Sequence, residues 1–514
     1  MGIPEEAFDI VVVGAGASGA VIASRASENP ALTVALVEAG PDYGRLEDLP
    51  FDLRNSHNNS YTDHDWGFDY QPTVRGSSRP FPRGRVTGGS TAVNTTIALR
   101  GMPEDYDGWA VDNPEWAWDK VLPAFNRLER DLDYGDKPYH GDAGPISIRR
   151  YTPDELTPVH QAFLEASRVL GYPECQDAND PDSWGAGPHP MNKIGRLRIS
   201  TAVGYLSAAR ARENLKIVPN ALARRVIIAG GRATGIEVDQ DGEIGVVRGK
   251  LILLASGALQ TPLILMRSGI GPAAQLAHHG IDVLHDIPAV GSHLCDHPAL
   301  AVACSAKEGA LIDFDQPIVQ TILRYTAPGS EHRNDLQIEQ FSFSPRDGGQ
   351  KAFAVAAVLE QAYSTGEVRL RSADPKDSPL TEQRFCEDER DLKRLVGAFK
   401  ETIRFVQTKP LADLVDEQLF PSPARTLDDD AIAELCLKLS ASGFHPCGTV
   451  KMGLASDAEA VVDQFGRMHA VDGLAVADAS IMPSVPRANT NLTCIMIGEM
   501  VGEWLRTRPQ EYGI

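Results

Sequence analysis

Residues 8–40 read FDIVVVGAGASGAVIASRASENPALTVALVEAG, and this stretch decides the fold. The β-branched run 10–13 predicts a buried parallel strand, and a second apolar run, 32–37, predicts another. Between them, glycines at G-x-G-x-x-G spacing over 14–19 lead into a segment with helical periodicity. In such a strand–turn–helix, two glycines let the backbone approach a pyrophosphate and the third lets the helix pack on the strand. The stretch therefore predicts a dinucleotide-binding unit.

Glu38 ends the second strand, where an acid can accept hydrogen bonds from a ribose diol. The helix N-terminus would face the phosphate charge. The alternative is a glycine-rich turn in an ordinary βαβ unit, which the surrounding pattern disfavours. The motif does not distinguish NAD from FAD, so that choice depends on the rest of the chain.

The amino-acid composition limits the kinds of molecule that the protein is expected to bind. The 514 residues carry 49 Lys and Arg against 70 Asp and Glu, and the net charge of −21 argues against nucleic acid or an anionic membrane as a partner. The seven cysteines are scattered, with no C-x-x-C pair and no spacing typical of a metal site. We therefore expect reduced thiols, no bound metal and a cytoplasmic location. No apolar run reaches the length of a membrane span, and the N-terminus has no signal-peptide pattern.

A second glycine-rich turn lies in PRGRVTGGSTAVNTTIALRG, residues 82–101. Residues 90–99 after it have the spacing of a helix. The turn is either an ordinary surface turn or a second wall against a large anionic cofactor, where small residues allow close backbone approach. The residues alone favour neither interpretation.

The remaining chain predicts further elements in order. Helices are expected over 116–130, 157–170 and 387–406, and successive strands with glycine turns over 215–254 predict a β-meander. A buried strand, a turn at Gly257 and a helix follow. Near the end, a short strand over 474–476 and a long helix over 489–505 suggest a return to the first sheet.

Together these segments resemble the glucose–methanol–choline (GMC) oxidoreductases, which are FAD-dependent, and most closely short bacterial alcohol oxidases of the hydroxymethylfurfural and choline types. The resemblance spans the whole chain. Its marks are the glycine motif at 14–19, the signature at 82–94, GALQTP at 257–262 with SGIG at 268–271, DHP at 296–298, HPCGT at 445–449, ADAS at 477–480 and NTN at 489–491.

The resemblance implies an α/β fold (α+β overall), with a Rossmann-like FAD-binding domain and a substrate-binding domain built on an antiparallel sheet flanked by helices. The expected FAD-binding domain comprises 1–155, 203–298 and 455–514. The expected substrate-binding domain comprises 156–202 and 299–454.

It also implies cofactor contacts. The ADP half of FAD would be held by Gly14, Gly16, Ala17, Ser18, Gly19, Glu38 and Ala39, and the pyrophosphate and isoalloxazine side by Arg85, Gly88, Gly89, Ser90 and Asn94. Val226 would contact adenine through its backbone, Asp478 and Ala479 the ribityl chain, and Asn491 and Thr493 the flavin ring.

Two positions depart from the family pattern. Val93 stands where some members attach flavin through a histidine, so we expect non-covalent FAD. Cys295 stands where relatives often have glutamine, and we interpret it as structural.

Oxidation of an alcohol requires a group that accepts the hydroxyl proton, and histidine titrates in the right range. The resemblance assigns this role to His445 and a substrate-orienting role to Asn491, as a His/Asn pair. Taken alone, His445 would be a structural histidine and Asn491 a helix cap. Glu339 could recognise a cationic or polyhydroxylated substrate, or it could be an exposed strand carboxylate.

The leading hypothesis is therefore FAD-dependent oxidation of a primary alcohol to the aldehyde, with hydride transfer to flavin N5 and electrons passed to O2 or another acceptor. The alternative is a hydroxynitrile lyase, since family members with that activity bind FAD without using its redox chemistry. An NAD-dependent dehydrogenase and a non-catalytic flavin-binding protein are disfavoured.

Overall fold

The computed structural model describes residues 2–343, 351–422 and 427–514. The first of its two large sheets contains the glycine-rich unit at its centre. From one edge to the other its strands are Leu215–Val218, Val34–Val37, Ala7–Val13, Glu243–Leu254, Arg232–Gln240 and Ala221–Ala229, and Leu474–Val476 also pairs with Glu243–Leu254. The pairs in the glycine-rich half are parallel, whereas the last three strands form an antiparallel meander. The meander predicted over 215–254 is therefore confirmed for 221–254 only, because Leu215–Val218 pairs in parallel with Val34–Val37 at the opposite edge of the sheet.

The apolar run 10–13 is almost completely inaccessible to water, as expected for a strand covered on both faces. Helices Gly19–Ala26 and Thr490–Thr507 pack against each other on this sheet. The predicted return of the chain end to the first sheet is therefore confirmed.

The second large sheet is antiparallel throughout. Its strands, in spatial order, are Val415–Phe420, Pro298–Ala306, Ala352–Leu359, Leu336–Phe341, Val319–Tyr325 and Gly185–Pro188, and Ala441–Ser442 also pairs with Pro298–Ala306. Helix Glu389–Gln407 packs on this sheet, with Pro158–Val169 beside it. The α/β fold class, with an antiparallel second sheet flanked by helices, is confirmed.

The other α-helices of four or more residues in the described ranges are Phe51–Arg54, Pro103–Ala110, Trp118–Leu128, Gly257–Arg267, Ala273–His278, Leu411–Leu414 and Asp429–Leu439. Among the residues that the structure describes there are also five two-stranded sheets: Phe68–Tyr70 with Arg79–Phe81, Glu129–Asp131 with Ile146–Ile148, Lys193–Ile194 with Leu197–Arg198, Ile270–Gly271 with His285–Asp286, and Glu367–Arg369 with Leu380–Glu382. No helix in the described part of the chain has the length and apolar character that crossing a membrane requires.

The helix predicted over 90–99 is wrong. A single 3-10 turn, Gly89–Ala92, is followed by irregular backbone. Thr96 adopts a left-handed conformation (φ 64°), which a continuing helix does not allow. The apolar spacing therefore reflects burial around the second glycine-rich turn.

Every strand of the first sheet falls within 1–155, 203–298 or 455–514, whereas the second sheet draws on 185–188 and on 298–442. On this basis we propose that the two domains have the boundaries predicted from the sequence.

Arg198 forms hydrogen bonds to two backbone segments next to the second glycine-rich turn. Its side chain is fully buried, and its guanidinium donates six hydrogen bonds to backbone carbonyls, those of Asp52, Leu53, Asn55, Asn58, Ala92 and Asn94. A planar group with five N–H donors can satisfy so many acceptors, which a lysine cannot. Arg198 thus joins loop 52–58 to the residues that follow the turn.

Replacement Arg198→Met should lower the free energy of unfolding by about 3 kcal/mol or more, because each buried carbonyl that loses its donor costs ~1–3 kcal/mol. Chemical denaturation followed by fluorescence measures this loss. Arg196→Met is the matched control, since Arg196 is exposed and pairs with exposed Asp315, so its effect should stay within ~0.5 kcal/mol. Equal effects of the two substitutions would contradict the role of Arg198.

Candidate active site

The two glycine-rich turns touch each other. The Gly88 N–H donates to the Ala15 carbonyl at 2.7 Å. A Cβ atom on Gly89, whose φ is +51°, would lie 2.7 Å from the Gly16 Cα. Only glycine at 89 allows this approach without displacing the backbone of the first turn. The second turn is therefore a wall of the dinucleotide site and not an independent surface turn.

The first turn presents free donors. Within the described ranges, no protein acceptor faces the backbone N–H groups of Gly16, Ala17 and Ser18, and all three residues line a large cavity. They precede helix Gly19–Ala26, whose N-terminus carries partial positive charge. Unpaired amides at a helix N-terminus are the donor set that a pyrophosphate requires, so the residues present fit the diphosphate of FAD.

Glu38 supports this turn from the next strand. One carboxylate oxygen accepts the Ala15 N–H at 2.9 Å, and the other accepts the Gly40 N–H at 2.8 Å. Burial raises the pKa of Glu38 to about 7, although the two backbone donors and Arg85 oppose that shift. Its side chain lines the cavity, so it remains available for the predicted contact with a ribose.

The cavity lies where the carboxyl ends of the parallel strands meet the segment after Ala441–Ser442, the usual ligand position in such sheets. Most of the predicted residues line it: Gly14, Gly16, Ala17, Ser18, Glu38, Ala39, Gly89, Ser90, Asn94, His445, Asp478, Ala479 and Asn491. The structure thus brings residues from the whole length of the chain to one place.

Five predicted cofactor residues lie outside this lining. Gly19 is a packing position, since a Cβ there would lie 1.9 Å from the Gly14 carbonyl oxygen. Gly88 bonds to the first turn as described above. Arg85 lines an adjoining hollow that shares Ala39 with the cavity.

The predicted backbone contact of Val226 with adenine stays a prediction. The backbone N–H of Val226 donates to the Ser268 hydroxyl at 2.8 Å, and residues 221–223 line the cavity instead. The β-bulge between Ala223 and Arg225 shifts the register, which spacing alone cannot reveal. Thr493 is also buried away from the cavity, with its hydroxyl 2.9 Å from the Tyr106 hydroxyl.

Both carboxylate oxygens of Asp478 accept hydrogen bonds from other groups of the protein. One oxygen accepts from the Gly257 N–H at 2.8 Å and the Thr261 hydroxyl at 2.7 Å, and the other accepts from the backbone and hydroxyl of Ser480. Burial raises the pKa of this carboxyl, and these donors oppose the rise. Asp478 therefore fixes the start of helix Gly257–Arg267 at the edge of the cavity.

His445 stands in the turn after Ala441–Ser442 and faces the cavity. Its Nε2 lies 3.0 Å from Asn489 Nδ2, and its Nδ1 lies 2.8 Å from His297 Nδ1. The amide nitrogen of Asn489 is a donor, so Nε2 of His445 carries a lone pair and Nδ1–H donates to His297. Burial, reinforced by His297 and Arg83, holds the pKa of His445 well below its usual value. The imidazole is therefore neutral at pH 7 and can accept a proton.

The carboxamide beside His445 belongs to Asn489 and not to Asn491. Asn491 Nδ2 donates to Asn192 Oδ1 at 3.2 Å and to the Ile97 carbonyl at 3.4 Å. The predicted meeting of His445 with Asn491 is thus corrected, although both asparagines line the cavity. Asn489 is the N-cap of helix Thr490–Thr507 but makes no side-chain capping bond, which leaves its amide for the site. The N-x-N stretch was visible in the sequence, but spacing did not show which residue faces His445.

Asp296 organises this region. Its Oδ1 accepts the N–H of His297 at 2.7 Å and of His445 at 2.9 Å, and its Oδ2 accepts from Gln383 Nε2 at 2.8 Å and from the Ser442 hydroxyl. Burial raises the pKa of Asp296, while these donors oppose the rise. One carboxylate thereby fixes the backbone of both histidines.

His297, interpreted as structural from the sequence motif, directly supports His445. Burial lowers the pKa of His297 to about 4, so its Nδ1 is an acceptor for His445. Glu360 Oε2 lies 3.6 Å from that atom, and burial raises the pKa of Glu360 to about 8. A protonated Glu360 carries no negative charge that would hold a proton on His297 Nδ1. The hydrogen bond from His445 then determines which nitrogen of His297 is protonated.

Arg83 is a cavity-lining residue that sequence reasoning did not assign. It is half-buried, lies 4.9 Å above the Phe81 ring and donates to the Phe444 carbonyl at 3.0 Å. The PRG motif contains it, but nothing in the motif indicates that the guanidinium faces the cavity.

Glu339 does not line the cavity. It lies buried on strand Leu336–Phe341, with Oε1 3.4 Å from His189 Nε2. This position does not support the predicted contact with substrate, and the alternative of an exposed carboxylate is also wrong.

One buried cluster offers three potential metal ligands within 4.8 Å of one another, from Glu129, Asp131 and His140. Arg100 pairs with Glu129, and Arg150 pairs with Asp131. The carboxylates are thus already neutralised by guanidinium groups, and the cluster is a structural ion-pair network.

The comparisons with known proteins agree with this geometry. Family models described as GMC oxidoreductase match residues 8–299 and 362–498. The chain is 33% identical over 541 residues to 5-(hydroxymethyl)furfural oxidase of Methylovorus sp. (strain MP688), covering 98% of this chain and 99% of that protein. It is also 33% identical over 527 residues to choline oxidase of Arthrobacter globiformis, and the match covers 98% of this chain and 95% of that protein.

Among solved structures, pyridoxine 4-oxidase from Mesorbium loti superposes with a TM-score of 0.88 at 27% identity, covering 96% of this chain and 98% of that one. The site defines a flavin-dependent oxidoreductase that acts on CH–OH donors. The chain belongs to the GMC oxidoreductase family.

Replacement Gly89→Ala should abolish or strongly weaken FAD binding, because its Cβ would enter the first glycine-rich turn at a positive φ. The ratio of flavin to protein absorbance in the purified enzyme measures the loss. Gly108→Ala is the matched control, since a Cβ there meets no atom within 4 Å. A fully flavinated Gly89→Ala enzyme would contradict the proposed cradle.

Proposed function

We propose that this protein oxidises a primary alcohol to the aldehyde, with proton abstraction by His445, hydride transfer to FAD and electrons passed to O2 or another acceptor. The observation that carries the proposal is the neutral His445 imidazole, whose Nε2 meets a carboxamide in the wall of the dinucleotide cavity. FAD, when bound, supplies the hydride acceptor at N5.

His445 supplies the base. A substrate hydroxyl placed at Nε2 would donate to the lone pair that now accepts from Asn489. Taking that proton leaves the charge on a ring whose opposite nitrogen already donates to His297. Proton removal makes the alcohol oxygen negative and favours departure of hydride from carbon, as general-base catalysis requires.

Asn489 supplies the second contact. Its amide nitrogen can donate to the alcohol oxygen while Nε2 of His445 accepts the proton, so the two groups hold the oxygen from two directions. Asn491 is held by Asn192, and its own Oδ1 has no partner among the described residues. We propose that Asn491 contacts the flavin ring, as the sequence predicted, and leaves the substrate oxygen to Asn489.

The substrate is proposed to be uncharged. The only carboxylates in the described cavity lining are Glu38 and Asp478, and both accept hydrogen bonds from the protein. The cation of Arg83 lies in the same wall, with the aromatic rings of Tyr61 and Phe444. A neutral aromatic or furanic alcohol suits this wall better than a quaternary ammonium, which Arg83 would repel. The relative named for 5-(hydroxymethyl)furfural supports this choice over the one named for choline.

We also propose that FAD is dissociable. Val93 offers no nucleophile for covalent attachment, and it is buried next to the second glycine-rich turn. The seven cysteines are free thiols, which supports the predicted cytoplasmic location.

Anaerobic addition of a primary alcohol should bleach the flavin absorbance, and admission of air should restore it if O2 is the acceptor. A panel of furanic, benzylic, sugar and amino alcohols would rank the substrates, with neutral aromatic alcohols bleaching fastest. A hydroxynitrile lyase would leave the flavin oxidised with every alcohol while cleaving a cyanohydrin. That result would overturn the proposal.

The replacements Asn489→Ala and Asn491→Ala separate the two asparagines. We expect Asn489→Ala to lower kcat by roughly 10²-fold, because a donor to the developing negative charge is lost, and His445→Ala by roughly 10²–10⁴-fold. Asn491→Ala should cost less than about tenfold, because the residue does not contact His445. Anaerobic rates of flavin reduction measure the step directly. A larger loss in kcat for Asn491→Ala than for Asn489→Ala would instead support the pairing of His445 with Asn491 that the sequence predicted.

A further inference from the structure

A pair of cysteines lies directly behind the catalytic turn. Cys295 and Cys447 face each other across an isolated antiparallel bridge, and each backbone N–H donates to the other residue's carbonyl at 2.9 Å. Their thiols are hydrogen-bonded to each other. Only Pro446 separates Cys447 from His445, so the pair is covalently close to the proposed base.

The two thiols differ in their chemistry. The Cys447 thiol donates to Cys295 and, with the nearby His293, keeps the pKa of Cys295 well below its usual value against the opposing effect of burial. Burial would lower the pKa of His293, but the charge of Cys295 raises that pKa to about 9. Burial raises the pKa of Cys447. The Cys295 Sγ also lies 3.5 Å from the His293 carbonyl oxygen, to which the protonated thiol donates. Because its pKa is the lower of the two, Cys295 is the member of the pair that loses its proton more readily and reacts first.

The geometry suits a disulfide. Directly opposed residues that exchange both backbone hydrogen bonds have Cα atoms about 5.5 Å apart, within the ~4.4–6.8 Å range of disulfides. Their side chains project from the same face of the bridge, with Cβ atoms about 4.5–5.5 Å apart. A disulfide requires ~3.5–4.5 Å, so closing the bond draws the two segments slightly together. Two segments far apart in sequence, around residues 295 and 447, are thus placed for cross-linking without a large backbone movement.

We propose that Cys295 and Cys447 form a peroxide-sensitive disulfide that modulates the active site through His445. The inference depends on the proposed function only for the suggestion that turnover with O2 would generate peroxide nearby. The oxidant is hydrogen peroxide, whose small size suits a pair that is buried.

The reaction balances in two steps. The Cys295 thiolate attacks one oxygen of hydrogen peroxide, which forms a sulfenic acid and releases hydroxide. Cys447 sulfur then attacks the sulfur of Cys295 and loses its proton, and the sulfenic hydroxyl leaves as water once protonated. Overall, two thiols are oxidised to one disulfide, and one peroxide is reduced to two waters.

The other cysteines are poor competitors. Burial raises the pKa of Cys304, Cys386 and Cys494 to about 12, and it also raises the pKa of Cys175 and of Cys436. Thiols that stay protonated react slowly with peroxide. The low pKa of Cys295 should therefore direct oxidation to this one pair.

Closing the bond should alter catalysis. The sulfur atoms must move from a hydrogen-bonded contact to about 2.05 Å, which pulls Cys447 and the adjoining Pro446 toward Cys295. His445 is held at Nε2 by Asn489 and at Nδ1 by His297, so a shift of its backbone strains both contacts. A displacement of about 1 Å in a catalytic group can cost ~10²-fold in rate.

The experiment treats the purified holoenzyme with hydrogen peroxide, alkylates it and maps its peptides without reduction. We expect one new cross-linked peptide joining Cys295 to Cys447, with a fall of about tenfold or more in kcat, and a thiol reductant should reverse both. The cross-link is read independently of activity, so it tests the pair even if the proposed substrate is wrong.

Cys295→Ser should prevent the cross-link, whereas Cys447→Ser should stop the reaction at the sulfenic acid, which a cyclic dione labels at Cys295. Cys304→Ser is the matched control, because Cys304 is equally buried on strand Pro298–Ala306 and distant from the bridge, and it should leave the cross-link intact. Free thiols at both positions after peroxide treatment of the wild type, or a cross-link to a different cysteine, would overturn the proposal. A cross-link without a reversible change in kcat would overturn its regulatory part.

Discussion

The contact between the two glycine-rich turns is the constraint on which the cofactor site depends. Gly16 and Gly89 approach each other so closely that a single Cβ atom would separate the turns. The approach leaves the first turn's backbone donors open to the cavity and brings the second turn over them. Arg198 and Glu38 support this contact from either side, Arg198 by binding the carbonyls around the second turn and Glu38 by holding the Ala15 amide. The groove for a large anionic cofactor is thus made mainly of backbone, which explains its need for small residues.

A second set of contacts, centred on Asp296, positions the proposed base. Asp296, at the start of the antiparallel sheet, holds the backbone of His297 and His445, and His297 accepts the proton that His445 carries on Nδ1. The low pKa of His445 and the neighbouring carboxamide of Asn489 complete a site that can take a proton and orient an oxygen. Cys447 lies two residues after His445 in the same turn. The turn that carries the proposed base therefore also places Cys447 beside Cys295.

Much of this could be predicted, for identifiable reasons. The glycine motif at 14–19, Glu38, His445 and Asp478 are recognisable because each belongs to a short segment with its own local pattern. Residues whose role depends on register or on side-chain direction were missed or misplaced. Residues 221–223 line the cavity and Val226 does not, and the start of helix Thr490–Thr507 places its N-cap Asn489 at His445 while Asn491 faces Asn192. Glu339 was misplaced because an alternating strand does not reveal which of its faces borders a cavity and which is covered by another layer.

The sequence by itself determined the dinucleotide-binding unit, because that unit follows from the local spacing of glycines and apolar runs. The ordered motifs indicated the family, and the resemblance to that family named His445 as the candidate base. Only the tertiary structure decided which asparagine accompanies His445, which histidine supports it, and that Cys295 and Cys447 touch. Those pairings join residues that lie 44, 148 and 152 positions apart in the chain. Contacts over such separations arise from the packing of two sheets around one cavity, and no periodicity along the chain encodes them.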